Sequence, residues 1–149
     1  MSKSFRLQPI LDLAAREAEK SAMKVGSLSR QTAEFEVKLE LLLQYREEYV
    51  CRFREGMQVE GYSNGHQNFH QFMDRLDAAI AQQHAVVADA RQQLRLAQAE
   101  HQDRERRLKA FDKLADRHAA AERLKAARSD QKALDEMAGN AMRQRMGSA

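Results

Sequence analysis

The sequence has no tryptophan, one proline and six glycines, and aromatic residues make up only 6% of it. So few aromatic side chains would supply a thick globular core poorly, and so few glycines and prolines leave few points where a helix must break. Alanine, leucine, glutamine and charged residues dominate instead, as in long helices. We therefore expect one all-α domain in these 149 residues, not a β-sheet or a compact bundle of many helices.

Disulfides and membrane-spanning segments are also missing. Cys51 is the only cysteine, so no internal disulfide can form and nothing indicates an oxidising compartment. Asp12, Arg16 and Glu17 interrupt the first apolar stretch, which is too short for a signal peptide. No apolar run approaches the roughly 20 residues that a membrane helix needs. We expect a cytoplasmic protein that reaches the inner membrane only peripherally, through partners.

Neither sign of charge dominates, since 25 basic and 22 acidic residues give a net charge of +3. The excess lies in residues 101–149, which contain 12 Lys or Arg and 8 Asp or Glu. A mildly basic C-terminal third is compatible with an acidic partner or with nucleic acid. A solvated helix face with many ion pairs would give the same counts, and it is the commoner explanation.

Motifs typical of enzymes and metal sites are absent from the sequence. It has no phosphate-binding loop of the Walker type, no GxGxxG, no CxxC and no HExxH. His66 and His70 are four residues apart, but no third ligand accompanies them. Glu47 and Glu48 lie on an open helix without a pocket that would adapt them to acid–base chemistry. We expect no catalysis, cofactor, metal or small-molecule substrate.

Two long segments carry a seven-residue repeat with two mainly apolar positions per repeat, which we call the seam. The seam of the first segment consists of Leu7, Leu11, Ala14, Ala18, Ser21, Val25, Leu28, Thr32, Phe35, Leu39, Leu42, Arg46, Tyr49 and Phe53. The seam of the second consists of Phe69, Met73, Leu76, Ile80, Gln83, Val87, Ala90, Leu94, Ala97, His101, Arg104, Leu108, Phe111 and Ala115. Two such runs predict two long coiled-coil helices.

The stretch between the two runs predicts a chain reversal, because Gly56, Gly61 and Gly65 fall within it. The expected fold is a long two-helix antiparallel coiled-coil hairpin. Its single domain has a helix over about 5–55, a turn over about 56–66, a helix over about 67–138 and a frayed tail over 139–149.

A turn near residue 61 pairs residues whose numbers total about 122. Phe53 should then face Phe69, and Leu7 should face Ala115. From about His118 onward, the second helix overhangs the first and has no partner within the chain.

Residues 39–53 contain more large apolar groups than one seam needs. Leu41, Leu43, Tyr45 and Val50 lie beside the seam or point outward, and on the second helix Phe72 lies one residue off the seam. This surplus predicts an exposed apolar patch, and such patches usually mark contact with a partner. A locally widened seam, or a short third helix folded over it, would bury the same residues.

Four segments in one order resemble the FliJ family of flagellar type III export proteins over nearly the whole chain. They are LQPILDLAAREAEKSA, LLLQYREEY, FHQFMDRLDAAIAQQ and RLKAFDKLADRHAAAERLKAARSDQKALDEMA. The resemblance implies a coiled coil similar to the central stalk of rotary ATP synthases. It implies that the paired termini enter the hexameric flagellar export ATPase and promote its assembly. It also implies contact with the export-gate membrane protein FlhA and with flagellar export chaperones, which the family escorts.

The same resemblance implies two sets of binding residues. The set for the export gate is Leu42, Tyr45, Tyr49, Phe72, Leu76 and Ala79. Three of these are also seam residues, and the edges of the patch depart from the family pattern at Lys38 and Gln83, where Gln and His are expected. The set for the ATPase ring is Leu7, Leu11, Ala14, Phe111, Ala115, Arg117, Arg123 and Lys132.

Three other functions fit parts of the sequence. A stalk of a virulence type III secretion system would have the same architecture, and genomic neighbours would separate the two. A basic coiled coil that binds nucleic acid would lose affinity steeply with salt, but the balanced first 100 residues and the lack of an aromatic and basic groove disfavour it. A structural coiled coil would dimerise, whereas a hairpin that satisfies its own seam is expected to be a monomer when alone.

Overall fold

The computed structural model describes residues 5–59 and 63–147 of the chain. Helix α1 spans Gln8–Val59 and helix α2 spans Ser63–Gly147, and no strand occurs in these two ranges. The predicted all-α hairpin of two packed helices is confirmed. Neither helix contains a stretch apolar enough over sufficient length to cross a bilayer. The chain divides into two compact units, Met1–Ala18 with Asp103–Ala149 (unit 1) and Glu19–Gln102 (unit 2), which are described separately.

The helices extend further into the predicted turn and tail than the glycines suggested. Helix α1 starts at Gln8, with Pro9 in its first turn, and continues through Gly56 to Val59, while α2 continues through Gly139 to Gly147. A glycine costs a helix about 1 kcal/mol relative to alanine but keeps its N–H donor, so a single glycine need not end it. No described glycine has a positive φ. The limits of 55, 67 and 138 are therefore wrong by several residues, and the centre of the predicted turn, residues 60–62, lies outside the described residues.

Contacts in both units confirm the predicted antiparallel register. In unit 2 the ring of Phe53 stacks on Phe69 with centroids 3.7 Å apart, and Ser21 Oγ lies 2.7 Å from His101 Nδ1. The residue numbers of both pairs total 122. In unit 1 the rings of Phe5 and His118 lie 5.4 Å apart, one residue from the same register.

The seam is the core of both units, because every predicted seam position is buried or half-buried. Small residues such as Ala90 and Ala97 fill much of it. Larger side chains fill it near the turn, where Met73, Leu76 and Ile80 form a buried cluster. Six residues from both helices pack against that cluster: Leu39, Leu42, Tyr49, Val50, Phe69 and Phe72. The core is therefore thickest at the turn end of unit 2.

The polar residues that interrupt the seam all make polar contacts. Besides the Ser21–His101 hydrogen bond, the Thr32 hydroxyl donates to the carbonyl of Leu28 at 2.7 Å, and Gln83 Nε2 donates to the carbonyl of Phe35 at 3.0 Å. The two seam arginines are paired across the helices, as Arg46–Asp77 and Arg104–Glu17. No buried side-chain donor or acceptor of the described residues lacks a partner. Polar groups satisfied in this way oppose other registers, in which they would lose their partners.

Candidate functional site

Five aromatic residues form a cluster at the turn end of unit 2, named here the turn-end cluster: Tyr45, Tyr49, Phe53, Phe69 and Phe72. Tyr49 lies 4.4 Å from Phe72 and stacks on Phe69 at 5.5 Å between ring centroids. Tyr45 meets Phe72 edge-on at 6.1 Å. Aromatic pairs at such distances stabilise by roughly 0.5–1.5 kcal/mol beyond the burial of their surface. The cluster widens the seam and fastens the two helices where they approach the turn.

The position of Phe72 differs from the sequence-based expectation. Phe72 was predicted to lie off the seam, but it is half-buried, contacts Tyr49 and packs against the buried cluster around Leu76. The reason is that positions flanking the seam of one helix face the flanking positions of the other in an antiparallel pair. A large ring at such a position closes over the seam. The widened seam is therefore the correct interpretation for Phe72 and Val50.

Other members of the apolar surplus remain exposed. Leu41 is 59% exposed and Tyr45 is 47% exposed. Both line one shallow groove, whose other lining residues are Leu42, Lys38, Gln44 and Glu48. Further along the same side of the hairpin, Val86 lines a second shallow groove. We name this side of unit 2 the apolar flank, and it consists of Leu41, Tyr45, Phe72, Ala79 and Val86.

The opposite side of unit 2 is polar and ion-paired. Arg91 Nε donates to Glu36 Oε1 at 2.9 Å, and Arg46 Nε donates to Asp77 Oδ1 at 2.6 Å. The hydrogen bond to Asp77, together with its negative charge, raises the pKa of Arg46. The exposed Leu43 follows Glu36 by seven residues and therefore shares this polar flank. In the part of unit 2 nearer the turn, the two flanks of the hairpin thus differ in chemistry, whereas Lys24 and Glu100 form an ion pair further along the apolar side.

The residues that the family resemblance assigned to the export gate are unequally available. Tyr45 and Ala79 are exposed, whereas Leu42, Tyr49 and Phe72 are half-buried. Leu76 is only 7% exposed and belongs to the core. Of the two positions at the edge of that set, Lys38 is exposed and Gln83 is a buried seam residue. The surface offered to a partner is therefore narrower than the predicted set.

The residues that the resemblance assigned to the ATPase ring also differ in exposure, and all of them lie in unit 1. Ala14 is buried, and its neighbours in the seam are half-buried, namely Leu7, Leu11, Phe111 and Ala115. The three cations of the set, Arg117, Arg123 and Lys132, are exposed. The seam members hold the two helices of this unit together, so only the cations are fully accessible to a partner.

Sequence reasoning missed the exposed apolar residues of unit 1. Ile10 is 45% exposed and Leu13 is 51% exposed, and they line a groove with Phe111 and Arg107. Leu114 is 40% exposed. The signal was present, because Ile10 and Leu13 each lie one residue before a seam position. They are three residues apart and therefore share a helix face.

The two histidines considered as metal ligands have aromatic neighbours. The His66 ring meets Phe53 at 5.2 Å, and the His70 ring meets Phe69 at 5.7 Å. Within residues 5–59 and 63–147, no three or more His, Cys, Asp or Glu side chains gather into a group that could hold a metal ion. The two imidazoles thus extend the turn-end cluster.

Comparison with known proteins identifies a family that matches nearly the whole chain. Residues 2–147 match the family described as flagellar FliJ protein. The flagellar FliJ protein of Salmonella typhi is 32% identical over 141 residues, which cover 95% of this chain and 96% of that protein. The flagellar FliJ protein of Escherichia coli K12 is 30% identical over the same shares of both chains. The chain therefore belongs to the flagellar FliJ protein family, and it is a component of flagellar protein export.

Proposed function

We propose that this chain is a non-enzymatic stalk of the flagellar export apparatus, which binds the export ATPase ring through unit 1 and the export-gate protein FlhA through unit 2. It acts by coupling these two partners through binding. In the same role it escorts flagellar export chaperones, and it is recruited peripherally to the inner membrane from the cytoplasm.

The observation that carries this proposal is the difference between the two flanks of unit 2. Contiguous exposed apolar surface rimmed by polar residues usually marks a binding site. The apolar flank offers Leu41 and Tyr45 over a rigid aromatic base, whereas the other flank is occupied by ion pairs. A partner that buries tyrosine and leucine side chains gains most from the first flank. We assign the gate contact to it.

The charge of unit 1 supports the proposed binding to the export ATPase ring. Residues 101–149 have an excess of basic groups, and Arg117, Arg123 and Lys132 are exposed. Such groups would be attracted to an acidic ring lumen. The exposed Ile10 and Leu13 would add apolar contact beside them. Adding the chain to its cognate export ATPase is expected to increase both ring formation and ATP turnover.

A pull-down with measured affinities tests the proposed contact between the apolar flank and the export-gate protein. The variant Leu41→Ser/Tyr45→Ser should bind the cytoplasmic region of the gate protein at least about tenfold more weakly, because it removes two exposed apolar anchors. Its affinity for the ATPase should not change. The matched control is Leu43→Ser, which removes an exposed leucine from the polar flank and should leave both affinities intact.

Two results would count against the proposal. Equal loss of gate binding in the variant and in the Leu43→Ser control would show that the apolar flank has no special role. Absence of binding to both partners, together with unchanged ATPase assembly and turnover, would refute the stalk function. Helicity measured by circular dichroism should stay near the wild-type value in all variants, because Leu41, Leu43 and Tyr45 are all exposed.

A further inference from the structure

One face of α2 in unit 1 carries basic and apolar residues but no carboxylate, and we name it the cationic face. Its members are Leu114, Arg117, Ala121, Leu124, Lys125, Arg128 and Lys132. At about 100° per residue, these seven positions share an arc of about 100° around the helix axis. All seven residues are exposed. The cationic face is therefore a continuous accessible surface about 27 Å long, since each helical residue adds about 1.5 Å.

The acidic residues of the same stretch all lie outside this arc. Asp116 and Asp130 are on the opposite side of α2, where Arg123 mixes with them, and Glu122 continues the register of the seam. The cationic face ends at Asp135, three residues beyond its last lysine. Charge is thus sorted by side along this part of the helix, which the nearly balanced composition of the whole chain conceals.

The four cations of the cationic face are not neutralised by neighbouring carboxylates. The ion pairs found within residues 5–59 and 63–147 all involve other cations. Elsewhere in unit 1, by contrast, Arg104 Nη1 donates to Glu17 Oε2 at 2.7 Å, and Arg107 Nη1 lies 4.0 Å from the same oxygen. The cationic face therefore keeps a local positive charge that attracts an anionic partner.

We propose that the cationic face binds the surface of an anionic phospholipid bilayer. A bilayer of this kind presents negative charge over its whole surface, so it attracts every cation of the face and would repel any carboxylate among them. A protein partner can place a basic group opposite a carboxylate, so it does not require a face without carboxylates. The apolar stems of the lysines and arginines lie along the bilayer surface while their charged ends reach the phosphates.

The exposed leucines of the face favour a bilayer over a nucleic acid. Leu114 is 40% exposed and Leu124 is 53% exposed, and both enter the apolar region below the headgroups when the helix lies flat on the bilayer. Nucleic acid phosphates offer leucine no such gain, and the face has no aromatic residue that could stack on bases. Ile10 and Leu13 add exposed apolar surface on the same side of unit 1, since they line a groove with Arg107, one repeat before Leu114.

Direct lipid contact adds to the proposed function, in which binding partners bring the chain to the inner membrane. Arg117 and Lys132 also belong to the set assigned to the ATPase ring, so a lipid-bound chain and a ring-bound chain exclude one another at this face. The lipid contact itself needs no other protein. A failure to bind lipid would therefore leave the stalk function standing.

Co-sedimentation of the full chain with lipid vesicles tests the proposal. Vesicles of equal parts phosphatidylcholine and phosphatidylglycerol should bind the chain, whereas vesicles of phosphatidylcholine alone should not. Added salt should release the chain, because it screens charges at the surface. Lys125→Gln combined with Lys132→Gln should weaken binding on the order of twentyfold, since each cation near an anionic membrane contributes roughly fivefold. Leu124→Ser should weaken binding about threefold through lost apolar burial.

The matched control is Lys109→Gln combined with Arg123→Gln, which removes two exposed cations outside the cationic face. This control should leave vesicle binding nearly unchanged, and equal weakening would reduce the effect to net charge and refute the proposal. Absence of binding to the phosphatidylglycerol vesicles, or equal binding to both kinds of vesicle, would also overturn it. Tighter binding to a DNA duplex of mixed sequence, without any effect of Leu124→Ser, would assign the face to nucleic acid instead.

Discussion

Leu76→Ala is expected to lower the free energy of unfolding by about 2–4 kcal/mol, the typical cost of truncating a buried leucine. Leu76 is 7% exposed and forms the buried cluster with Met73 and Ile80. The thickest part of the core lies around it, so neighbouring side chains could fill the resulting cavity only in part. Urea denaturation followed by circular dichroism measures the change.

Two leucines of the first helix provide matched controls for this prediction. Leu41→Ala makes the same chemical change at a position that is 59% exposed, so it should cost less than about 1 kcal/mol. Leu39→Ala should give an intermediate loss, because Leu39 is half-buried against the cluster. The 2–4 kcal/mol expected of a fully buried leucine therefore applies to Leu76 and not to Leu39. A loss at Leu41 as large as that at Leu76 would contradict the assignment of the core.

The seam could be predicted from the sequence because helix geometry alone determines the spacing of its residues. A repeat of seven residues with two apolar positions keeps one face toward a partner helix over any length. The register followed from the position of the turn, and Phe53–Phe69 and Ser21–His101 agree with it. The ends of the helices were predicted less accurately than the seam and the register. A glycine such as Gly139 disfavours helix by only about 1 kcal/mol, which continued propagation of the helix overcomes.

The flanks could be predicted only in part, because their burial depends on how widely the two helices separate. Phe72 becomes half-buried where large residues fill the seam near the turn. Leu41 and Leu43 both lie outside the seam, on opposite sides of Leu42, and the periodicity does not say which of these two sides is the polar one. The structure distinguishes them, because the ion pairs of Glu36 and Arg46 occupy the flank of Leu43. Partners on either flank of a coiled coil are therefore hard to assign from periodicity alone.

The flagellar assignment rests on the comparisons, because a virulence secretion stalk would have the same helical architecture. The matched family covers residues 2–147, and both relatives are flagellar proteins that align over nearly their whole length. The order of the segments around Tyr45 and Phe72 carried the same information in the sequence. Composition and periodicity did not, since they are shared by many long coiled coils.

The polar residues of the seam lead to a prediction of the opposite sign. Thr32→Val combined with Gln83→Leu is expected to raise the free energy of unfolding by about 1–3 kcal/mol. Both residues are nearly buried, at 5% and 8% exposure. Their hydrogen bonds go to the helix carbonyls of Leu28 and Phe35. Replacing both polar groups by apolar ones of similar shape exchanges modest hydrogen bonds for additional apolar burial.

The Thr32→Val/Gln83→Leu variant should also pair its two helices less specifically. The polar residues of the wild-type seam thus lower its stability but favour one register. A hairpin with fewer polar layers can shift by one repeat, or exchange helices with another chain, at lower cost. Sedimentation of the variant should therefore show associated species, whereas denaturation shows higher stability. Gln44→Leu, at an exposed position of α1, is the control and should change the free energy of unfolding by less than about 0.5 kcal/mol. A seam variant less stable than the wild type would show that the two hydrogen bonds contribute more than the apolar contacts that replace them.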